Sequence, residues 1–277
     1  MRRGNAVNAT ERKMLDALKR GRNDYGVVAV KAEFEAEGTR PDEFLRLLEL
    51  AARADLKVAL KIGGCEAVSD LLATHTYGID YVIAPMVETR YALSKFIDAK
   101  TKTHGPDEDR TEFLFNLETQ TTLENLDDML PIARGGVDGI VFGRVDFTLS
   151  RGMPRTAVND RSITDAVLQV ARACAQNDLE LVVGGSVSDQ AIDALREIQA
   201  VRLDRFETRK VIFEGEAVTR SSIEDGIANA VEFELLWLQN KRDYYARIAR
   251  EDLARIEMME KRARGVAAAP QKMVAVG

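Results

Sequence analysis

Short apolar runs alternate with amphipathic segments along most of this chain, and that alternation restricts its fold more than any other feature. Val27-Val28-Ala29-Val30, Val58-Ala59-Leu60-Lys61-Ile62, Tyr81-Val82-Ile83-Ala84, residues 112–117, residues 138–142, Leu181-Val182-Val183 and a stretch within 203–213 read as strands. Helical spacing lies between them. Pro41 opens a helix whose Phe44, Leu47, Leu48 and Ala51 follow the i, i+3, i+4, i+7 pattern of one buried face. The proline stands in a first turn, where its missing N–H costs nothing. Further helices are expected from Glu88 through Phe96 and near 122–132, 162–177 and 188–198. Strands alternating with helices of about 10–15 residues imply βαβ units and a parallel sheet. Seven strands are clear and a closed barrel needs eight. The expected class is therefore α/β, a TIM (β/α)8-type barrel with one short or non-standard strand.

The two ends differ from this pattern. Residues 1–10 read as disordered, and a helix is expected over Glu11–Arg20 with Met14, Leu15 and Leu18 on one side. From Ser222 to Arg264 the chain turns highly helical, with Glu251/Arg255 and Glu257/Lys261 as i,i+4 pairs. Unbroken, about 43 residues at 1.5 Å each would extend about 65 Å. That exceeds a barrel helix, so the segment either kinks or reaches another subunit. The expected organisation is a barrel domain over 1–221, a C-terminal helical extension over 222–264 that supports a homo-oligomer, and a flexible tail over 265–277.

With 39 basic and 45 acidic side chains, the net charge of −6 argues against nucleic acid as the main partner. No apolar run approaches the roughly 20 residues that span a bilayer, so no membrane partner is expected. Met1–Ala6 lacks the apolar core of a signal peptide, and Cys65 and Cys174 form no disulfide framework. A cytoplasmic location is the expectation. His75 and His104 are too few for a histidine-based zinc site and read as solvated residues, one at a helix end and one in a polar loop over 101–111. Catalysis is thereby pushed toward carboxylates, lysines, arginines and a metal.

Two acidic residues stand at or just past apolar strand ends: Glu118 in Phe115-Asn116-Leu117-Glu118-Thr119, and Asp146 in Gly143-Arg144-Val145-Asp146-Phe147. Taken singly, each is an ordinary polar strand end. Hard carboxylates at the rims of successive parallel strands suit Mg²⁺ or Mn²⁺. Four motifs in order, Lys61-Ile62-Gly63-Gly64, Pro85-Met86-Val87-Glu88-Thr89, Asn116-Leu117-Glu118-Thr119 and Gly143-Arg144-Val145-Asp146, resemble the HpcH/HpaI aldolase / citrate lyase β family of the phosphoenolpyruvate/pyruvate superfamily of TIM barrels. The likeness covers about residues 25–150. It implies a divalent-metal-dependent carbon–carbon lyase or aldolase acting on a pyruvate-like oxo acid through a metal-stabilised enolate. Glu118 and Asp146 match the family's metal-binding carboxylates.

The chain departs from the family in two places. Lys61 stands where an arginine is usual, which keeps the charge and loses the bidentate fork. Flanked by Leu60 and Ile62, a desolvated Lys61 with a lowered pKa would instead support a metal-free Schiff-base aldolase. In the first βα segment the family's Asp and His are absent, and Glu33 and Glu35 alternate with Ala32 and Phe34. Both then point toward the barrel mouth, where burial beside another carboxylate would raise a pKa enough for a general base. Arg144 at the rim suits a substrate clamp. Gly143, Glu88 and, from the last strand, Arg209 are further candidate substrate contacts. The missing arginine and histidine also leave open a non-catalytic barrel that serves as a binding or assembly subunit.

Overall fold

The computed structural model describes residues 8–105 and 110–267. Asn8 caps the first helix, α1 (Ala9–Tyr25), through a capping box with Glu11, which satisfies two end N–H groups. Asn8, Ala9 and Thr10 are therefore ordered, contrary to the expectation for 1–10; residues 1–7 lie outside the described residues. Gly26, at φ 75, ends α1 in the left-handed region and turns the chain into β1 (Val27–Glu33). The chain continues through α2 (Pro41–Ala54), β2 (Lys57–Lys61), α3 (Val68–Tyr77), β3 (Tyr81–Ala84), α4 (Arg90–His104) and β4 (Glu112–Leu117). Then follow α5 (Gln120–Glu124), α6 (Leu126–Ala133), β5 (Gly139–Gly143), α7 (Arg144–Ser150), α8 (Arg161–Asn177) and β6 (Glu180–Gly184). The last elements are α9 (Ile192–Gln199), β7 (Arg205–Glu207), β8 (Val211–Glu214) and α10 (Ile223–Ala267).

The eight strands close a barrel in sequence order. Strands β1 to β7 are parallel, while β8 runs antiparallel to both β7 and β1. The single strand expected within 203–213 is thus two short strands joined by Thr208-Arg209-Lys210. No helix separates them, so the strand–helix rhythm that identified the others is missing here. The hairpin is fastened by Phe206 and Phe213, which stack with centroids 4.9 Å apart.

Alternation along the strands sorts the core into two layers. Val30, Ala32, Leu60, Phe113, Phe115, Phe142 and Val183 face the helices in a large outer core. Ala29, Ala59, Ile83, Leu114, Val141, Val182 and Ile212 fill the barrel. Three aspartates tie strand starts together at the N-terminal end. Asp80 accepts from Val58 N at 2.8 Å, Asp138 from Phe113 N at 2.6 Å and Asp204 from Leu181 N at 2.7 Å. Each immediately precedes a strand and bonds its predecessor.

Helix α4 runs through His104, well into the expected polar loop. His104 is half-buried, not solvated: Nε2 lies 3.0 Å from Thr74 Oγ1, and the ring packs edge-on against Phe113. The first half of α10 lies along α1. Asn229 donates to Ala17 O at 3.0 Å, and Arg20 pairs with Glu232. The helix continues to Ala267, past the expected end at 264; residues 268–277 lie outside the described residues. Among the described residues no helix is long and apolar enough to cross a membrane.

Candidate active site

One step of alternation beyond the apolar barrel filling, the interior becomes polar. Lys31 follows Ala29 by two residues, Lys61 follows Ala59, Asn116 follows Leu114, and Gly143 and Gly184 follow Val141 and Val182. Glu207 arrives from β7. Lys31, Lys61, Asn116, Glu118 and Glu207 are all buried. They line one cavity of about 690 Å³ at the C-terminal ends of the parallel strands, together with Asp146, Glu33 and Glu35. This is the end at which barrel enzymes place their chemistry.

Glu118 is the most connected acid of the group. Its Oε1 accepts from Met86 N at 3.0 Å; its Oε2 accepts from Asn116 Nδ2 at 2.6 Å and lies 3.4 Å from Lys61 Nζ. Met86 supplies its N–H from a left-handed conformation, φ 50, which a non-glycine residue adopts at a cost of about 1–2 kcal/mol. Gly143 is required beside this acid, because a Cβ there would sit 2.9 Å from Glu118 Cβ. A Cβ at Gly184 would likewise meet Glu207 Oε1 at 2.8 Å. The glycines thus admit the two carboxylates to the barrel mouth. Asp146 is exposed in the first turn of α7 and borders the same cavity.

Burial works against charge on Lys61, but attraction to Glu118, Glu35 and Glu33 outweighs it and holds the ammonium above the usual lysine range. Its second ion pair is with Glu35, at 3.2 Å. The pull of these acids runs against the lowered pKa a Schiff-base role for Lys61 needs, since a protonated amine is no nucleophile. Glu33 feels the same lysines. Burial alone would raise its pKa, but Lys31 and Lys61 hold it below the usual carboxylate range. Glu35 is the more accessible of the two acids.

The candidate clamp Arg144 points elsewhere. Its guanidinium is buried, donating to Gly184 O at 3.3 Å, Gly185 O at 2.7 Å and Asn159 Oδ1 at 3.1 Å. Burial lowers its pKa to about 10, which leaves it charged at neutral pH. It ties α7 to the loop after β6 and does not line the cavity. Glu88 also turns away, accepting from Thr119 Oγ1 at 2.7 Å. Arg209 borders the cavity, with its Nε on Glu37 at 2.8 Å.

Lys31 and Glu207 were missed in the sequence. Burial opposes charge on Lys31, yet Glu207 and Glu33 hold its ammonium well above the usual range, in a direct ion pair with Glu207 and 3.2 Å from Glu33. A signal existed: a lysine at an inward position of a β-branched strand has no apolar reason to be there. Glu207 stands in the charged run Phe206-Glu207-Thr208-Arg209-Lys210, which supplied only Arg209 as a candidate.

The donor set suits a hard divalent cation. Glu118 and Asp146 offer carboxylate oxygens to one cavity, and the buried Oδ1 of Asn116, beside Glu118, has no hydrogen-bond partner among the described residues. Among those residues no three acidic, histidine or cysteine side chains cluster as a ready-made cage.

No curated protein matches the chain in sequence. Residues 42–207 match the family profile described as HpcH/HpaI aldolase/citrate lyase. Solved structures share the fold, among them the following two. The HpcH/HpaI aldolase from Desulfitobacterium hafniense DCB-2 aligns with TM-score 0.56 and 13% identity over 71% of this chain and 82% of that one. An HpcH/HpaI aldolase/citrate lyase family protein from Burkholderia cenocepacia J2315 aligns with TM-score 0.57 and 12% identity over 86% and 90%. With the barrel, the mouth and a profile match over more than half its length, this chain belongs to the HpcH/HpaI aldolase/citrate lyase family, a family of lyases.

Proposed function

We propose that the protein is a divalent-metal-dependent carbon–carbon lyase that cleaves or forms a bond beside the carbonyl of a small oxo acid. The observation that carries this reading is the buried Glu118 at the mouth of β4, sharing one cavity with Asp146, Lys61 and Lys31. In this reading Glu118 and Asp146 hold Mg²⁺ or Mn²⁺, with Asn116 Oδ1 as an adjacent oxygen. Bound there, the ion would polarise the substrate carbonyl as a Lewis acid.

The protein's own groups do the rest. Lys61 and Lys31 remain ammonium ions, which suits them to hold the substrate carboxylate and offset charge that develops on the carbonyl oxygen. Lys61 has two carboxylate partners, so engagement of Glu118 elsewhere leaves it paired with Glu35. Glu35, at the cavity edge, is the proton carrier of choice. Cys65 and Cys174 are both free thiols, in keeping with a reducing cytoplasm.

Asp146→Asn tests the assignment. The variant should keep its circular dichroism spectrum and lose at least about a hundredfold in Mg²⁺-dependent turnover of an oxo acid that the wild type cleaves, about 2.7 kcal/mol of transition-state stabilisation. Normal turnover by that variant would remove the metal assignment.

A further inference from the structure

Helix α10 carries two apolar stripes, and only one of them is used. Ile223, Ile227, Ala230, Phe233 and Trp237 are buried against the barrel body. A second series, Val231, Leu235, Leu238, Arg242, Tyr245, Ala249, Asp252, Ile256, Met259 and Ala263, advances by alternating steps of four and three. That is the seam of a left-handed coiled coil. Val231, Leu235, Leu238, Ile256 and Met259 are each more than half exposed. Tyr245 is half-buried, with its hydroxyl on Glu43 at 2.8 Å. Every residue from Ala246 to Arg264 is exposed, so this half of the helix leaves the barrel without support. An isolated helix of that length is marginal in water, and packing of an apolar face is the usual source of its stability.

The polar members of the seam decide what covers it. A parallel pair would set Arg242 on Arg242 and Asp252 on Asp252, two like-charge layers. In an antiparallel pair each a position faces a d position. One register then sets Leu235 against Met259, Leu238 against Ile256, Tyr245 against Ala249 and Arg242 against Asp252. Ala263 meets Val231 at the open end, so both charges fall opposite each other and the remaining layers are apolar or pair Tyr245 with a small residue. The symmetry axis falls near Arg247 and brings Ile248 opposite its own copy. Lys241 and Arg255 also approach there, but each already holds a carboxylate of its own chain, Glu43 and Glu251. Arg242 holds Asp243 on the same helix, and the second copy's Asp252 would add a cross-chain partner.

We propose that two copies of this chain associate about a two-fold axis by antiparallel pairing of α10, centred near Arg247, with Arg242 of each copy against Asp252 of the other. A self-complementary surface of this kind closes as a dimer and does not propagate. Val231, at the end of the seam, also borders the cavity at the barrel mouth, so pairing there would bring the second copy's Ala263 to the cavity edge.

Sedimentation of the full chain at micromolar concentration tests it first, with a dimer expected. Asp252→Arg should weaken association by more than about tenfold, and Arg242→Asp combined with Asp252→Arg should restore it. Lyase activity and far-ultraviolet circular dichroism identify any variant that has failed to fold. In a Cys65→Ser background, oxidation of a mixture of Leu238→Cys and Ile256→Cys chains should give the mixed disulfide. A monomeric wild type, an Asp252→Arg dimer as tight as wild type, a double variant that stays dissociated, or a preferred Leu238→Cys self-crosslink would each overturn the proposal.

Discussion

At the residue scale, the mouth of this barrel sets buried lysines against carboxylates: Lys31 against Glu207 and Glu33, Lys61 against Glu118 and Glu35. Lys31 and Lys61 keep their charge because each is met by two carboxylates inside the barrel, which outweighs the cost of burial. Lys61 was readable as a charged strand end. Its state was not, since Glu118 and Glu35 lie 57 and 26 positions away and only the closed barrel brings them within reach. Arg144 shows the opposite outcome. Its place in a rim motif suggested a clamp, but the rotamer sends the guanidinium to Gly184, Gly185 and Asn159. Arg144→Lys should therefore cost about 1–3 kcal/mol of stability through lost carbonyl bonds and leave the KM for substrate within about twofold. Urea denaturation and steady-state kinetics on the same preparation check both; a large rise in KM at unchanged stability would return Arg144 to the substrate.

At the element scale, the strands depend on a device that repeats every second connection. Ile79-Asp80, Val137-Asp138 and Leu203-Asp204 each place an aspartate just before a strand, where it receives an N–H from the preceding strand. The apolar–Asp–strand pattern is plain once the pairing is known. Along the sequence it is lost among 45 acidic residues. Asp138→Ala leaves the Phe113 N–H without this acceptor and should destabilise the fold by about 1–3 kcal/mol, seen as a lower urea midpoint at unchanged slope. A midpoint shift equivalent to less than about 0.5 kcal/mol, the range of an ordinary surface substitution, would show that the device is dispensable. The hairpin of β7 and β8 is the element the sequence reading merged. Its strands are too short for a period, and the three residues Thr208-Arg209-Lys210 join them with no helix between.

At the scale of the whole molecule, closure of the barrel creates a second charged layer at the end opposite the cavity. There Arg205 lies over the Tyr81 ring, 3.0 Å from Glu112, and also pairs with Glu180. Burial, aided by Glu112 and Asp204 and opposed by Arg205, pushes the Glu180 carboxyl up to about 7. A carboxyl whose pKa is higher folded than unfolded contributes stability that is complete below about 4.5 and is lost as pH rises through about 7. Glu180→Gln removes that dependence. The Tm of the wild type should accordingly fall relative to that of the variant between about pH 5 and about pH 8, as followed by thermal melts. Parallel curves for the two proteins would refute the assignment.

The alternation of apolar strands with amphipathic helices was enough for the chain alone to specify a barrel of this class. Periodicity is a local property, and three or four residues on either side suffice to express it. The protonation of Lys61, the diversion of Arg144, the recruitment of Lys31 and Glu207, and the reversal of β8 were decided only when the barrel closed. Each depends on groups far apart in the chain that share a small, poorly solvated volume, where charge and hydrogen bonding act across space and not along the backbone.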